Sequence, residues 1–232
     1  MKLSTIFGTA CALALFITTN THAATLANYP FTGSSLASTD GNGNSTASAI
    51  VLDTGLTSTG NRFLAAGGNP GAALRINGDE TAASFPASNL ANDDFTLEIS
   101  PATGQRLSLD MLTFDAAVSA AAVDAGIRIQ LSTTGTAFTN LGTIPDITST
   151  TFAAQSFDLS PANAALETGL PIYIRFLLTD SSNAATAYTA IDNIVVTGTV
   201  PTAIPEPGTN ALLALGALGL VGGTVWRRRA TV

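Results

Sequence analysis

The chain has 232 residues, of which 46% are hydrophobic and only 11% charged, with a formal charge of −7 and a mean hydropathy of +0.35. So few charges with a positive hydropathy exclude a plain cytosolic globule. The apolar excess sits at the two ends, so the sequence divides into an export signal, a soluble middle and a terminal membrane segment.

Met1 and Lys2 form a short basic start, Leu3 to Thr18 an apolar stretch, and Thr19 to His22 a polar lead-in to Ala23. With small side chains at Thr21 and Ala23, this order predicts a secretory signal peptide over residues 1–23, cut by signal peptidase after Ala23. An N-terminal anchor helix is the alternative, because the apolar run approaches membrane length. Cleavage removes Cys11, His22 and Lys2, the sole cysteine, histidine and lysine. Disulfides, thiolate or imidazole metal sites, histidine-based triads and lysine Schiff bases are thereby excluded from the mature protein. Its fold must rest on core packing or on cations held by oxygen.

The middle, residues 24–200, is acidic. Between the terminal signals lie fifteen acids and five arginines, a balance of −10. Nucleic acid is not an expected partner, since phosphate binding needs clustered Lys and Arg. An anionic lipid surface is not expected on the same ground.

Along this region apolar residues recur with a period of two, as half-buried strands require. Short candidates come first, at Tyr29 to Gly33, Ser48 to Leu52, Arg62 to Ala65 and Ala73 to Ile76. Stronger runs follow: Phe95, Leu97 and Ile99; Leu107, Leu109 and Met111; Ile127, Ile129 and Leu131. After Met111 the phase shifts to Leu112 and Phe114, which predicts a bulge or bend. Further strands are expected at Thr136 to Leu141, Ala154 to Leu159, Ile172 to Leu178 and Tyr188 to Thr197, with a weak helix near Pro161 to Glu167. About eleven short strands set apart by Gly, Asn, Ser, Thr and Pro predict an all-β fold, a single jelly-roll-like β-sandwich. Seven-stranded immunoglobulin modules have too few strands to match.

The closing segment Tyr188-Thr-Ala-Ile-Asp-Asn-Ile-Val-Val-Thr-Gly198 resembles the last strand of extracellular jelly-roll domains of the galactose-binding-like, MAM-like and concanavalin-like groups. Ile191-Asp192-Asn193-Ile194 carries the likeness, with Tyr29-Pro-Phe-Thr-Gly33 as a first strand. The resemblance implies that first and last strands pair, bringing the domain's ends together.

Carboxylates are the only strong acid–base groups left, and a glycosidase needs just two of them at suitable separation. The adjacent pairs Asp79-Glu80 and Asp93-Asp94 are poor dyads, because strand neighbours point to opposite faces, and both read better as turns. No catalytic residue is assigned and an enzyme is not expected. Calcium takes oxygen ligands, and Asp40-Gly-Asn42-Gly-Asn44 opens like a calcium loop. Ser45 then replaces the required glycine and Val51 the bidentate glutamate, which rules out an EF-hand. A structural calcium held by Asp40, Asn42, Asp180 or Asp192 stands beside a solvated Asx-rich turn as the alternative. Sugar platforms use exposed aromatics, and Tyr173, on the polar face of its strand beside Arg175, is the candidate sugar contact. Gly67-Gly68-Asn-Pro-Gly71 lacks the spacing and the lysine of a nucleotide cradle and reads as a turn.

At the far end, residues 201–208 form a proline-rich linker containing Pro205-Glu206-Pro207. Residues 209–226 carry no charge, and at about 1.5 Å per residue they reach roughly 27 Å, enough for a transmembrane helix. Arg227, Arg228 and Arg229, within the basic tail 227–232, would stay on the cytoplasmic side. This tripartite end resembles the PEP-CTERM sorting signal read by exosortases. The resemblance implies cleavage near Pro205-Glu206-Pro207 by an integral-membrane processing enzyme and release of the middle to the cell surface or exopolysaccharide matrix. The two prolines favour that picture, since they cannot continue a helix and leave Glu206 on an extended segment outside the membrane. The reading is therefore an exported, non-enzymatic cell-surface or matrix protein, anchored in the membrane before processing. Its alternatives are a carbohydrate-binding module and a carboxylate-based glycoside hydrolase.

Overall fold

The computed structural model describes residues 23–53, 63–68, 71–76, 94–119, 125–162, 169–179 and 188–200. The remainder of the expected signal peptide, the linker, the apolar segment 209–226 and the basic tail lie outside the described residues. Among the described residues no helix is long and apolar enough to cross a membrane.

Among the described residues twelve strands appear in chain order: β1 (Ala24–Tyr29), β2 (Ser45–Ala47), β3 (Val51–Leu52), β4 (Phe63–Gly68), β5 (Gly71–Ile76) and β6 (Asp94–Pro101), then β7 (Ser108–Val118), β8 (Ala125–Ser132), β9 (Thr139–Ile147), β10 (Ala153–Asp158), β11 (Ile172–Thr179) and β12 (Thr189–Thr199). Two 3-10 turns, η1 (Thr32–Ser34) and η2 (Ser160–Ala162), complete the elements. Where a helix was expected near Pro161, the described residues form only η2, and residues 163–168 lie outside them.

The strands form two antiparallel sheets. Sheet A runs β10-β7-β12-β5-β4, with β1 beside β5 on the same edge of β12; sheet B runs β9-β8-β11-β6, with β2 and β3 sharing the outer edge of β6. First and last strands pair, Ala24 opposite Gly198 and Tyr29 opposite Ile194. The first strand itself differs from the sequence expectation. It precedes Tyr29 rather than following it, because Phe31 takes left-handed backbone angles (φ 50°) and turns the chain into η1.

Alternation puts Phe95, Leu97 and Ile99 of β6, Ile172, Ile174 and Phe176 of β11, and Ile127 and Ile129 of β8 into one core with Leu112 and Phe114 of β7. Phe176 stacks on Phe95 within sheet B at 4.5 Å and meets Phe114 of sheet A edge-on at 5.2 Å, a ring bridge between the layers. Each such buried side chain stabilises the fold by roughly 1.5–3 kcal/mol relative to exposure. Along the β9–β10 side the layers are closed by Phe157 of β10, whose ring lies against Gly142 of β9.

The bulge expected in β7 is present, one residue earlier than its sequence position. Thr197 of β12 pairs Met111 while Gly198 pairs Leu109, so Asp110 is the extra residue. Leu109 and Leu112 both point inward, and Met111, expected inside, is instead 37% exposed. Asp110 is not idle: its carbonyl accepts the Leu159 N–H at 2.9 Å and ties β7 to the turn after β10. Gly198 sits opposite this bulge with no room for a side chain, since a Cβ there would lie 2.2 Å from the Ser108 carbonyl oxygen and 2.6 Å from Leu26 Cδ1. Gly198→Ala therefore lowers stability by about 1–3 kcal/mol or more, the usual cost of overpacking. Gly41→Ala, where nothing lies within 4 Å, leaves it unchanged; urea unfolding of the two variants measures the contrast.

Candidate functional site

The outer face of sheet B gathers most of the polar chemistry. Cross-strand register places Tyr173 beside Glu98 and Ser132, and Arg175 beside Thr96 and Gln130, with Asn140 next in line beyond Gln130. Arg175 is the hub. Its Nε donates to Gln130 Oε1 at 2.9 Å, its Nη1 lies 3.6 Å from Asp94 Oδ2, and its guanidinium sits 3.9 Å from the Phe138 ring centroid. The only arginine on β11 is thus held by an amide, a carboxylate and an aromatic face together.

Tyr173 lies on this outer face, half-buried, as its place in the alternation predicts. Its ring is engaged by the loop between β8 and β9. Gly135, at φ 73°, packs so close that a Cβ on it would stand 3.3 Å from Tyr173 Cζ. Positive φ and a ring at contact distance both favour glycine there. The rest of the loop is fastened by its own hydroxyls: Ser132 Oγ accepts the N–H groups of Thr134 and Gly135 at 3.1 and 3.0 Å, and Thr134 Oγ1 accepts the Ala137 N–H at 3.3 Å.

On the loop's other side lies a cleft of about 500 Å³ between the β8–β9 hairpin and η2, walled by Leu131, Ala137, Leu141, Pro161 and Ala162 and rimmed by Thr133, Thr139 and Asn140. A second bulge shapes it: Gly142 pairs Ile129 while Asn140 pairs Gln130, leaving Leu141 extra. The η2 wall is fixed by Asp158, whose Oδ1 accepts the Ser160 N–H at 2.9 Å and its hydroxyl at 2.6 Å. Those bonds hold the Asp158 carboxyl below the usual aspartate range. The cleft was not legible in the sequence. Ser132-Thr-Thr-Gly135-Thr signals a turn, but not that the turn faces η2 of the other sheet.

Of the described candidate cation ligands, Asp40 and Asn42 share one loop and Asp192 lies on β12. Asp40 Oδ1 accepts the Asn42 N–H and Asn42 Oδ1 the Asn44 N–H, each at 3.0 Å, which makes two consecutive Asx turns before β2. Asp192 is fully buried on β12 opposite Asp115 of β7, and Asp180 lies outside the described residues. Among the described residues no three Asp, Glu, His or Cys side chains gather to hold a metal ion. At Asp192 the structure instead shows a bulge that sequence reading missed. Asn193, at φ 50°, gives its N–H to Asp192 Oδ1 at 2.8 Å and its Nδ2 to Asp115 Oδ2 at 2.9 Å, bridging the two carboxylates. The signal was available, since Ile191 and Ile194 are spaced by three and break the alternation of two.

The described residues are thus a two-sheet β-sandwich with a polar outer face and an uncharged side cleft. Residues 203–229 match the PEP-CTERM protein-sorting motif, so the chain carries this sorting signal. The match spans Pro205, Glu206, Pro207 and the three arginines Arg227, Arg228 and Arg229. The motif marks an exported protein processed at the membrane by an exosortase. No curated protein matches the sequence. Among solved structures the chain is similar to the K3 cleaved adhesin domain of Lys-gingipain from Porphyromonas gingivalis, with 14% identity over 75% of this chain and 98% of that one and a TM-score of 0.42. It is similar also to TmCBM61, solved with beta-1,4-galactotriose, at 13% identity over 66% of this chain and 86% of that one, TM-score 0.32. A family 16 carbohydrate-binding module is similar at 12% identity over 58% of this chain and 82% of that one, TM-score 0.35.

One buried group ties the Asp40 loop to stability at high pH. Tyr29, on β1, donates its hydroxyl to the Ser48 carbonyl at 2.6 Å. Burial, with Asp40 and Glu98 nearby, pushes its phenol well above the ordinary value of 10.0. A raised phenol means that the unfolded chain loses this proton first as pH rises. The stability it contributes is complete below pH 10 and declines above it. Tyr29→Phe costs about 1–2 kcal/mol at pH 8, from the lost hydrogen bond, and flattens the decline above pH 10; urea midpoints of both proteins from pH 8 to 11 measure the difference.

Proposed function

We propose that this is an exported, non-enzymatic protein whose jelly-roll-like sandwich works at the cell surface or in the exopolysaccharide matrix, after delivery through its C-terminal sorting signal. The carrying observation is the match of residues 203–229 to the sorting motif. Two features of the fold support removal of the tail. Among the described residues the last strand, β12, ends at Thr199, so a cut at Pro205-Glu206-Pro207 takes none of the described strands. Signal peptidase cutting after Ala23 likewise spares β1, which begins at Ala24.

The non-enzymatic part of the reading is supported by chemistry. Without Cys11, His22 and Lys2 the mature chain has no thiol, imidazole or amine side chain. Several of its described carboxylates are committed to structure: Asp94 to Arg175, Asp115 to Asn193, Asp158 to Ser160.

A carbohydrate-binding module is the second reading, favoured by the row of Arg175, Gln130 and Asn140 beside Tyr173 on the outer face of sheet B. Amide and guanidinium donors next to an aromatic ring suit sugar hydroxyls and ring faces.

Fractionation of the producing cell tests the leading reading. Wild-type protein is expected outside the inner membrane, and replacing Pro205-Glu206-Pro207 by three alanines strands it in the membrane fraction. Recovery of both forms in one fraction would contradict sorting through this signal.

A further inference from the structure

The side cleft carries an inference that deepens the carbohydrate-binding reading and rests on it. We infer that the cleft between the β8–β9 hairpin and η2 binds a neutral oligosaccharide, with Thr133, Thr139 and Asn140 as its polar contacts.

Three observations converge. First, the lining is wholly uncharged: aliphatic walls with hydroxyls and one carboxamide at the rim. An anionic or cationic ligand would lose hydration with no opposite charge to receive it, and a wholly apolar one would leave the rim donors without partners. A neutral sugar presents both patches of C–H and hydroxyls, and matches both parts of the lining. Second, the rim groups are available. Among the described residues the Thr133 and Thr139 hydroxyls have no protein hydrogen bond, and Asn140 accepts from Gln130 through Oδ1 while its Nδ2 makes no bond. Third, the walls are built before any ligand arrives. Gly135 is seated on the Tyr173 ring, Ser132 and Thr134 fasten the loop, and Asp158 pins η2. A preformed site does not give up binding energy to order its own loops. The cleft volume of about 500 Å³ falls in the range of small-ligand sites.

Tyr173 takes on a different role in this arrangement. Toward the cleft it is a positioning residue, holding the loop from the far side.

The experiment titrates the folded domain, residues 24–200 within the processed protein, by calorimetry. The probes are neutral gluco-, galacto- and manno-oligosaccharides of two to four sugars, with trigalacturonate as the charged control. Saturable binding of at least one neutral probe is expected, with none of trigalacturonate. Ala137→Trp fills the cleft from its exposed rim and abolishes binding, while the melting temperature stays at the wild-type value. Thr139→Val keeps the shape, removes one hydroxyl and weakens binding roughly five- to tenfold. Silence across the neutral panel, equal binding of trigalacturonate, or binding that survives Ala137→Trp would each overturn the inference. In the last case the outer face of sheet B remains as the sugar surface. Failure here leaves export and sorting untouched, because the fractionation result does not depend on any sugar.

Discussion

Because β12 pairs β7 along one edge and both β5 and β1 along the other, sheet A is incomplete until the last strand of the domain is in place. That pairing is of long range in sequence, and the geometry at its end is tight. Gly198 packs against the Ser108 carbonyl and Leu26 where β7 bulges at Asp110. The same bulge frees the Asp110 carbonyl to hold the chain leaving β10, from which η2 follows. The cleft thus owes one of its walls to the register of β12. The first strand is held by the last, and the start of β1 at Ala24 lies beside the end of β12 at Gly198.

This placement suits a protein handled at both ends. Both proposed cuts, after Ala23 and beyond Thr199, fall outside the described strands, so the proposed processing removes none of those strands. On the proposed processing the chain keeps no thiol, imidazole or amine side chain, which leaves its polar chemistry to hydroxyls, amides, carboxylates and a few guanidinium groups. Among the described residues Asp94 meets Arg175, and Asp40, Asp158 and Asp192 accept backbone N–H groups, whereas the Thr133 and Thr139 hydroxyls at the β8–β9 rim make no protein hydrogen bond.

Much of the architecture could be read from alternation alone. Phe95 to Ile99, Ile127 to Leu131 and Ile172 to Leu178 form the central strands of sheet B, because a strand buried on one face must alternate. The phase break after Met111 announced a bulge, found at Asp110, and the last strand is paired with the first from Ile194 to Gly198. Legibility failed where local signals compete with distant partners. Met111 continues the alternation in sequence but is turned outward by Asp110, whose carbonyl is bound by the distant Leu159. Phe31, an apolar residue in an apparent strand, enters the core from a left-handed turn instead. The site was less visible than the fold. Tyr173 and Arg175 could be placed on a polar face, yet nothing local shows that Gly135 covers one and Phe138 the other. A cleft between two sheets is set by how the layers close, here by Phe157 against Gly142, and no periodicity within a single strand encodes that.

The central claim is that the functional molecule is the sandwich alone, delivered by terminal signals that it then loses. Intact-mass measurement of the protein isolated from its native host tests this most directly. The predicted species begins at Ala24 and lacks residues 209–232. A molecule that still runs from Met1 to Val232 would contradict the account.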